Sequence, residues 1–220
     1  MAITPESVRN LLQSEDYGDR LRAVNQIREL DPAIALELIQ QAAADSNARV
    51  RYAAVSQLAT LGQQNPDQVA SLLRTILKTD SDPDVQAAAA DSIGALHIVA
   101  AYEELETLYN RTTEWLVKFS IVASLGELGD PRAFDLLQAA LEEGNELIST
   151  AAIGALGELQ DDRALPLLLK YTNSPDWQVR HRLVHALSHF SQPEARSALQ
   201  SLTQDTSAIV AETAAHHLSA

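Results

Sequence analysis

Apolar residues recur along this sequence in a pattern that repeats about every 31 residues. In seven segments an anchor residue is followed four and eight positions later by an apolar residue, a spacing that places all three on one face of an α-helix. The anchors are Asp19, Val50, Val85, Val117, Ile148, Val179 and Val210, at separations of 31, 35, 32, 31, 31 and 31 residues. The residues four positions later are Ala23, Ala54, Ala89, Ile121, Ala152, Leu183 and Ala214, and those eight positions later are Ile27, Leu58, Ile93, Leu125, Leu156, Leu187 and Leu218. This period predicts an internal repeat, and the polar Asp19 suits a terminal repeat with no earlier neighbour.

A second helical pattern lies between successive anchors. It opens with proline at a first-turn position at Pro32, Pro66, Pro131 and Pro193. Gly62 and Gly129 stand where the preceding helix is expected to stop. Each repeat is therefore predicted to be a helix pair, the pairs being 4–14 with 18–30, 32–44 with 47–61, 66–79 with 82–96, 99–110 with 113–128, 131–142 with 145–159, 162–172 with 175–190, and 193–204 with 206–219.

The predicted fold class is an all-α solenoid of about seven two-helix repeats. No linker-like tract interrupts the chain, so residues 1–220 are expected to form a single domain. One helix pair cannot bury its own apolar stripe, and stacked pairs are expected to curve and to present a concave face. The side of each second helix opposite the stripe consists of the residues two before the anchor and two, three, six and ten after it. We call this side the ladder surface.

Composition narrows the classes of partner. Apolar residues make up 46% of the chain and aromatic residues only 5%, so a core of Ala, Leu, Ile and Val is expected. The formal charge of −14 would repel nucleic acid, and no apolar run suggests membrane insertion. The absence of Cys excludes disulfides, thiolate catalysis and thiolate metal sites. We expect a soluble protein in a cytosol-like compartment.

Both Trp residues and four of the six His residues fall on the ladder surface. The fourth repeat contributes Trp115, Leu116, Phe119, Ser120, Ala123 and Glu127, the sixth Trp177, Gln178, His181, Arg182, His185 and His189, and the seventh Glu212, Thr213 and His216. A surface that concentrates aromatic and titratable rings is a candidate binding site. The alternative is structural, with each Trp opening its helix by packing against the preceding loop.

The histidines raise the question of a metal. His181, His185 and His189 are spaced four apart, and His185 is expected on the same rung as His216 of the next repeat. Ring nitrogens one turn apart can share a divalent ion with a third ligand. The metalloprotease signature has Glu beside the first His, whereas Arg182 follows His181 here. We therefore favour an unliganded histidine row and predict no metal.

Arginines near the anchors are candidates for binding anions. Arg51, Lys118 and Arg180 follow their anchors directly, a position that predicts contacts to acidic groups of the neighbouring turn. Arg49 and Arg182 face the ladder surface, as does Tyr52, and these three join the predicted ligand-binding set of Trp115, Phe119, Trp177, His181 and His185.

Two phrases of this sequence resemble the HEAT-like repeats of cyanobacterial phycobilin lyases: Gly126-Glu127-Leu128-Gly129-Asp130-Pro131-Arg132-Ala133 and Asp176-Trp177-Gln178-Val179-Arg180. The resemblance covers nearly the whole chain. Thr4-Pro5-Glu6-Ser7-Val8 and Arg49-Val50-Arg51-Tyr52-Ala53 look most like the branch of this family that acts in phycobilisome degradation. The repeat motif specifies the superfamily well and the function poorly.

The resemblance implies a cytoplasmic protein that engages phycobiliprotein subunits and linear tetrapyrroles, and that associates with phycobilisomes at the thylakoid surface. It requires no cofactor, but phycocyanobilin is an implied ligand. Related chains attach or detach bilins at a thioether bond, a reaction in which His181, His185 or Glu127 would move protons.

Three functions remain open. The first is a phycobilisome-degradation factor that binds phycobiliproteins or their bilins on the concave face. The second is a lyase-type enzyme that detaches or attaches phycocyanobilin. The third is a HEAT scaffold for an unrelated protein partner. The sequence contains no nucleophile elbow and no phosphate-binding loop, so no motif in it by itself requires catalysis.

Overall fold

The protein consists of helices joined by short loops. The computed structural model describes residues 2–219, which contain fourteen α-helices and no β-strand. The helices are α1 (Pro5–Leu12), α2 (Tyr17–Ile27), α3 (Pro32–Ala42), α4 (Ala48–Leu61), α5 (Pro66–Thr79), α6 (Pro83–Ala95), α7 (Tyr102–Arg111), α8 (Trp115–Leu128), α9 (Phe134–Leu141), α10 (Glu146–Leu159), α11 (Leu165–Leu168), α12 (Trp177–Leu187), α13 (Pro193–Leu202) and α14 (Ala208–Ser219). Short 3-10 segments lie at Gly62–Gln64, Val99–Ala101, Pro131–Ala133, Asp162–Ala164 and Leu169–Tyr171.

Side-chain caps explain where many of these helices begin. At α1, the Thr4 hydroxyl accepts a hydrogen bond from the N–H of Ser7, and the Ser7 hydroxyl accepts one from the N–H of Thr4. The side chain of an Asp or Asn caps several second helices, as where Asp16 accepts a hydrogen bond from the N–H of Gly18 at 2.8 Å. Proline occupies the first turn of α3, α5 and α13, as the sequence predicts.

The fold divides into two compact units, the first ending at Ile121 and the second beginning at Val122. Within the first unit, α2 packs against α4 and α4 against α6. Within the second unit, α10 packs against α12 and α12 against α14. Helices of successive repeats therefore stack in chain order within each unit, and the all-α solenoid class is confirmed. A single domain over 1–220 stays a prediction.

The anchored stripe forms the core of the second helices. Val50, Val85, Val117 and Val210 are fully buried, as are the residues four positions after all seven anchors. Asp19, Val179 and Leu218 are the three stripe positions that are only half-buried. Burial of this repeated stripe against the next repeat supplies the apolar contacts that one helix pair lacks.

Three details differ from the sequence predictions. Segment 162–172 is not one α-helix, because α11 has a single turn between two 3-10 segments. Gly129 has the positive φ of a helix stop, but Gly62 does not, and a Cβ at Gly62 would lie 2.8 Å from Leu96 and 2.9 Å from Val69. Ser120, expected on the ladder surface, is buried.

Candidate functional site

The first residue of several second helices is fixed by the cap that precedes it. Tyr17 follows Asp16, and Trp177 follows Asp176, whose carboxylate accepts a hydrogen bond from the N–H of Gln178 at 2.8 Å. Both rings stand at the position two before an anchor, where Tyr17 is 43% exposed and Trp177 41%. A large exposed ring held by a capped helix start is a rigid apolar surface that is open to a ligand.

The first unit contains a cavity of about 670 Å³ at the starts of its second helices. It is lined by Tyr17, Asn47, Ala48, Arg49, Tyr52, Asp82, Asp84 and Leu116. Its volume lies within the range of about 300–1,000 Å³ that is typical of small-molecule and cofactor sites. The structure thus brings Arg49 and Tyr52 together, two residues predicted to bind a ligand.

Arg49 differs from its neighbour Arg51 in having no partner for its guanidinium. Arg51 donates to both carboxylate oxygens of Asp80, at 2.7 and 2.8 Å, which confirms the predicted structural contact. The guanidinium of Arg49 makes no hydrogen bond or ion pair with residues 2–219, and its side chain is exposed at the cavity. A carboxylate or other planar anion in the cavity could therefore accept two parallel hydrogen bonds from the guanidinium of Arg49.

Trp115 and Phe119 belong to the same unit but lie outside the lining of the cavity. Trp115 is 49% exposed at the first position of α8, and Phe119 is half-buried one turn later. The rings of Trp115 and Phe119 are not in contact with each other, so the two side chains do not form one aromatic pair. Leu116, beside Trp115, is the residue of α8 that reaches the cavity.

Asp91 is a further candidate functional residue of the ladder surface, and it was not among the residues predicted from the sequence. It stands six positions after the anchor Val85, which is a ladder position, and the Ser120 hydroxyl donates a hydrogen bond to it. Displacement of water by the surrounding protein raises the pKa of Asp91, which the Ser120 hydrogen bond partly opposes. The register that defines the ladder surface was sufficient to find it, as it was for Tyr17.

The second unit gathers aromatic and histidine side chains on α12 and α14. The ring of Trp177 lies 6.4 Å from that of His181, which meets the ring of His185 edge-on at 4.8 Å. The hydroxyl of Thr213 lies 3.3 Å from Nε2 of His181. Three predicted ligand-binding residues, Trp177, His181 and His185, therefore form one continuous row on α12.

His217, and not His216, is the partner of His185 in the next repeat. Nε2 of His217 lies 3.3 Å from Nδ1 of His185, and the rings are 5.3 Å apart. The predicted His185–His216 rung is wrong because α14 presents the next residue to α12. Burial and the neighbouring His181 and His217 lower the pKa of His185, and burial and His216 lower that of His217.

Arg182 and Glu127 occupy different places in this unit. The stem of Arg182 lies over Gly154 of α10, and its guanidinium has no hydrogen bond or ion pair among residues 2–219. Glu127 is exposed near the end of α8. Because α10 packs between α8 and α12, at Gly126 and Gly157, Glu127 is two helices away from the histidine row and does not join it.

Among residues 2–219, no group of three His, Asp or Glu side chains is arranged to hold a metal ion. Over the same range, no helix is long and apolar enough to span a membrane.

Comparison with known structures gives similar folds at low sequence identity. The chain is similar to a chain of the complex of CpcE and CpcF of phycocyanin lyase from Nostoc sp. PCC7120, with 22% identity, a TM-score of 0.65, and coverage of 100% of this chain and 95% of that one. The E. coli protein YibA matches with 17% identity and a TM-score of 0.70, covering 98% of this chain and 81% of its own. An engineered protein matches with 18% identity and a TM-score of 0.62, over 99% and 67% of the two chains. At these identities the likeness concerns the fold alone.

Sequence comparison identifies the family. No curated protein is significantly similar in sequence. The family model for HEAT repeats matches residues 5–94, 70–152 and 141–219, which together span nearly the whole chain. The chain therefore belongs to the HEAT-repeat family.

Proposed function

We propose that this protein is a phycobilisome-degradation factor, similar to NblB, that binds phycobiliproteins or their bilin chromophores on its ladder surface. The observation that carries the proposal is the cavity of the first unit, where an unpaired guanidinium lies beside exposed aromatic rings. The likeness in fold to the phycocyanin lyase complex and the resemblance of the repeat phrases support it. The proposed place of action is the cytoplasmic face of the thylakoid.

The chemistry of a linear tetrapyrrole matches these side chains. Its flat pyrrole rings can stack on Tyr17 and Tyr52, and its two propionates can each accept a forked pair of hydrogen bonds from a guanidinium. Arg49 supplies such a fork at the cavity. Arg182, with Trp177 next to the histidine row, offers the same combination in the second unit.

Spectroscopy with purified components tests the proposal. The protein is mixed with free phycocyanobilin and with intact phycocyanin, and visible absorbance is followed. We expect a saturable spectral change that is weakened by Arg49→Gln or Tyr52→Ala. Arg196→Gln is the matched control, because Arg196 is also exposed and has no ion pair with the described residues 2–219, but lies on α13. Equal weakening by Arg196→Gln would refute the cavity as the site.

The histidine row supports a second candidate, a lyase-type enzyme that detaches or attaches phycocyanobilin. The lowered pKa of His185 keeps its ring neutral at pH 7, the form that accepts a proton. In detachment by elimination, a base takes a proton from the carbon adjacent to the one that bears sulfur. The C–S bond then breaks, a C=C bond forms in the bilin, and the antenna cysteine leaves as a thiolate, which takes up the proton from the base.

Turnover separates the two candidates. Release of more than one equivalent of pigment per protein, lost in His185→Gln, would establish the enzyme. A stoichiometric change without release would favour the binding factor. No change with bilin or phycocyanin would leave a protein scaffold as the function and would refute both proposals.

A further inference from the structure

A second cavity, of about 360 Å³, lies in the second unit between the fifth and sixth repeats. Its floor is apolar and consists of Leu141, Ile153, Tyr171 and Val179. The remaining lining residues are polar or small: Glu142, Gly144, Glu146, Ser149, Thr150, Ser174, Pro175 and Asp176. None of them belongs to the ligand-binding set proposed above.

The cavity coincides with a local change in the repeat. The first helix of the sixth repeat has only one α-helical turn, α11, before the 3-10 segment Leu169–Tyr171. Val179, the anchor of this repeat, is half-buried, whereas the five other apolar anchors are at most 1% exposed. The apolar anchor, which the chain itself buries in the second to fifth and seventh repeats, is here partly exposed.

The rim of the cavity carries negative charge, although the guanidinium of Arg180 lies near Asp176. Glu142, Glu146 and Asp176 line it, and no Lys or Arg does. None of the three has an ion-pair partner within 4.0 Å in the part of the chain that the structure describes, although Asp176 caps α12. An apolar floor beside the exposed carboxylates of Glu142 and Glu146 is complementary to an apolar side chain flanked by cations.

We propose that this cavity is a docking site for a partner protein, which inserts one apolar side chain between flanking Lys or Arg residues. The volume lies near the lower end of the range for ligand sites, about 300–1,000 Å³, so one or two side chains fill it. The aliphatic stems of Lys and Arg can lie along the walls while their charged ends meet the rim. This surface is independent of the bilin proposal, since it shares no residue with the ladder cavity or the histidine row.

Peptide binding to the 220-residue protein tests the proposal. The probe is a fluorescein-labelled peptide, Gly-Lys-Leu-Lys-Leu-Lys-Gly, followed by fluorescence anisotropy at low ionic strength and at about 0.15 M salt. Two further peptides replace all Lys by Glu or all Leu by Ser. We expect the first peptide alone to bind, more weakly at higher salt, and to shift the NMR signals of Tyr171 and Val179.

Variants assign the binding to the cavity. Glu142→Gln and Glu146→Gln should each weaken binding roughly two- to fivefold, the value of one exposed charge pair. Glu158→Gln, on the same helix as Glu146 but outside the cavity, should leave it unchanged. Thr150→Trp, which fills the cavity, should abolish binding while the far-ultraviolet circular dichroism stays that of the wild type.

Three results would overturn the inference. The first is equal binding of the Ser-containing peptide, because the apolar floor would then play no part. The second is unchanged affinity in the Glu142→Gln/Glu146→Gln double variant. The third is NMR shifts confined to the histidine row or to the first unit. Bilin binding is measured separately on the same variants, so failure of one proposal does not affect the other.

Discussion

At the scale of single residues, two arginines separated by two positions have opposite roles. Arg51 is bound by Asp80, whose side chain is 8% exposed, while Arg49 faces the open cavity and its guanidinium has no partner among residues 2–219. The same contrast holds in the sixth repeat, where Arg180 is bound to Asp205 and the guanidinium of Arg182 has no partner in that range. The position relative to the anchor therefore decides whether a guanidinium stabilises the repeat or is available to a ligand.

The first prediction concerns this pair. Arg51→Ala should lower the free energy of unfolding by roughly 2–3 kcal/mol, because it leaves the carboxylate of Asp80 mostly buried without its two hydrogen bonds. Arg49→Ala should change it by less than about 0.5 kcal/mol. Urea unfolding followed by circular dichroism measures both, and equal losses would show that the assignment of the two roles is wrong.

A second prediction concerns pH. The pKa values of His185 and His217 are lowered below the ordinary value of 6.5, so the unfolded chain binds protons more readily than the folded one as pH falls through this range. The stabilisation is complete above pH 6.5 and is lost as pH falls towards the folded-state values. His181, His189, His216 and Arg182 face the same pair and add to the repulsion on protonation.

Thermal unfolding at several pH values between 7.5 and 5.5, the range in which histidine titrates, measures this effect. Replacing His185 and His217 together by Gln should flatten the dependence of the melting temperature on pH. His97→Asn is the control, since His97 lies in the first unit and Asn tolerates its positive φ. An unchanged slope in the double variant would contradict the prediction.

The sequence predicted some residue roles and missed others for a physical reason. The register relative to the anchors was sufficient to separate Arg49 from Arg51, because side chains one helical turn apart share a face. It did not distinguish His216 from His217. The rotation of α14 against α12 is a matter of tertiary packing, which residue spacing alone does not encode, and Leu218 of α14 is only half-buried.

At the scale of helices, the prediction of helix pairs succeeded because the apolar stripes have a clear period and several second helices begin at an Asp or Asn cap. The division of segment 162–172 into α and 3-10 turns was not predicted, since both have similar hydrophobic spacing over one turn. The cavity next to Val179 follows from this division, and the sequence pattern therefore did not indicate it.

Close helix contacts give a third prediction. A Cβ at Gly157 would lie 2.5 Å from the Cα of Ala186, so Gly157→Ala must push α10 and α12 apart and should cost about 1–3 kcal/mol. Gly154, on the same helix, would meet only the flexible Arg182 side chain, at 3.2 Å. Gly154→Ala should be neutral or stabilising by up to about 1 kcal/mol, through its better helix propensity.

Calorimetry of the two glycine variants against the wild type measures this difference. The reverse order of stability would mean that α10 and α12 are not in backbone contact at Gly157.

Replacing a buried residue of α10 and an exposed residue of α12 should also change stability by different amounts. Leu156→Ala should cost roughly 2–5 kcal/mol, because Leu156 is fully buried. Trp177→Ala should cost less than about 1 kcal/mol and should instead weaken binding of bilin. If both variants unfold the chain under native conditions, Trp177 is a packing residue and not part of a binding surface.

At the scale of the whole molecule, the period of the sequence predicted an all-α repeat fold, which the structure confirms. The resemblance of its repeat phrases predicted HEAT repeats, and the family model for HEAT repeats confirms that prediction. Function is less accessible at this scale, because the same repeat supports many kinds of partner. The hypotheses about function therefore rest on side chains that the core does not require, such as Arg49, Tyr52 and the histidine row.

The net charge of −14 gives a prediction for the whole chain. Binding to nucleic acid depends on the release of counterions by Lys and Arg, and an acidic surface opposes it. We expect no retardation of labelled duplex DNA or RNA in gel electrophoresis, even at low ionic strength where attraction would be strongest. A retarded band at protein concentrations in the micromolar range that shifts back with added salt would contradict this expectation.

The bridges from Arg20 to Asp45, Arg51 to Asp80 and Arg180 to Asp205 each join one repeat to the loop between the two helices of the next. They run in one direction, so every such junction has a donor side and an acceptor side. This amounts to a matching rule for repeat order. In chimeras built by exchanging repeats, a repeat that carries the arginine should pack well only against a following repeat that carries the aspartate in its loop. When repeats are exchanged, the arginine and the aspartate should therefore be transferred together.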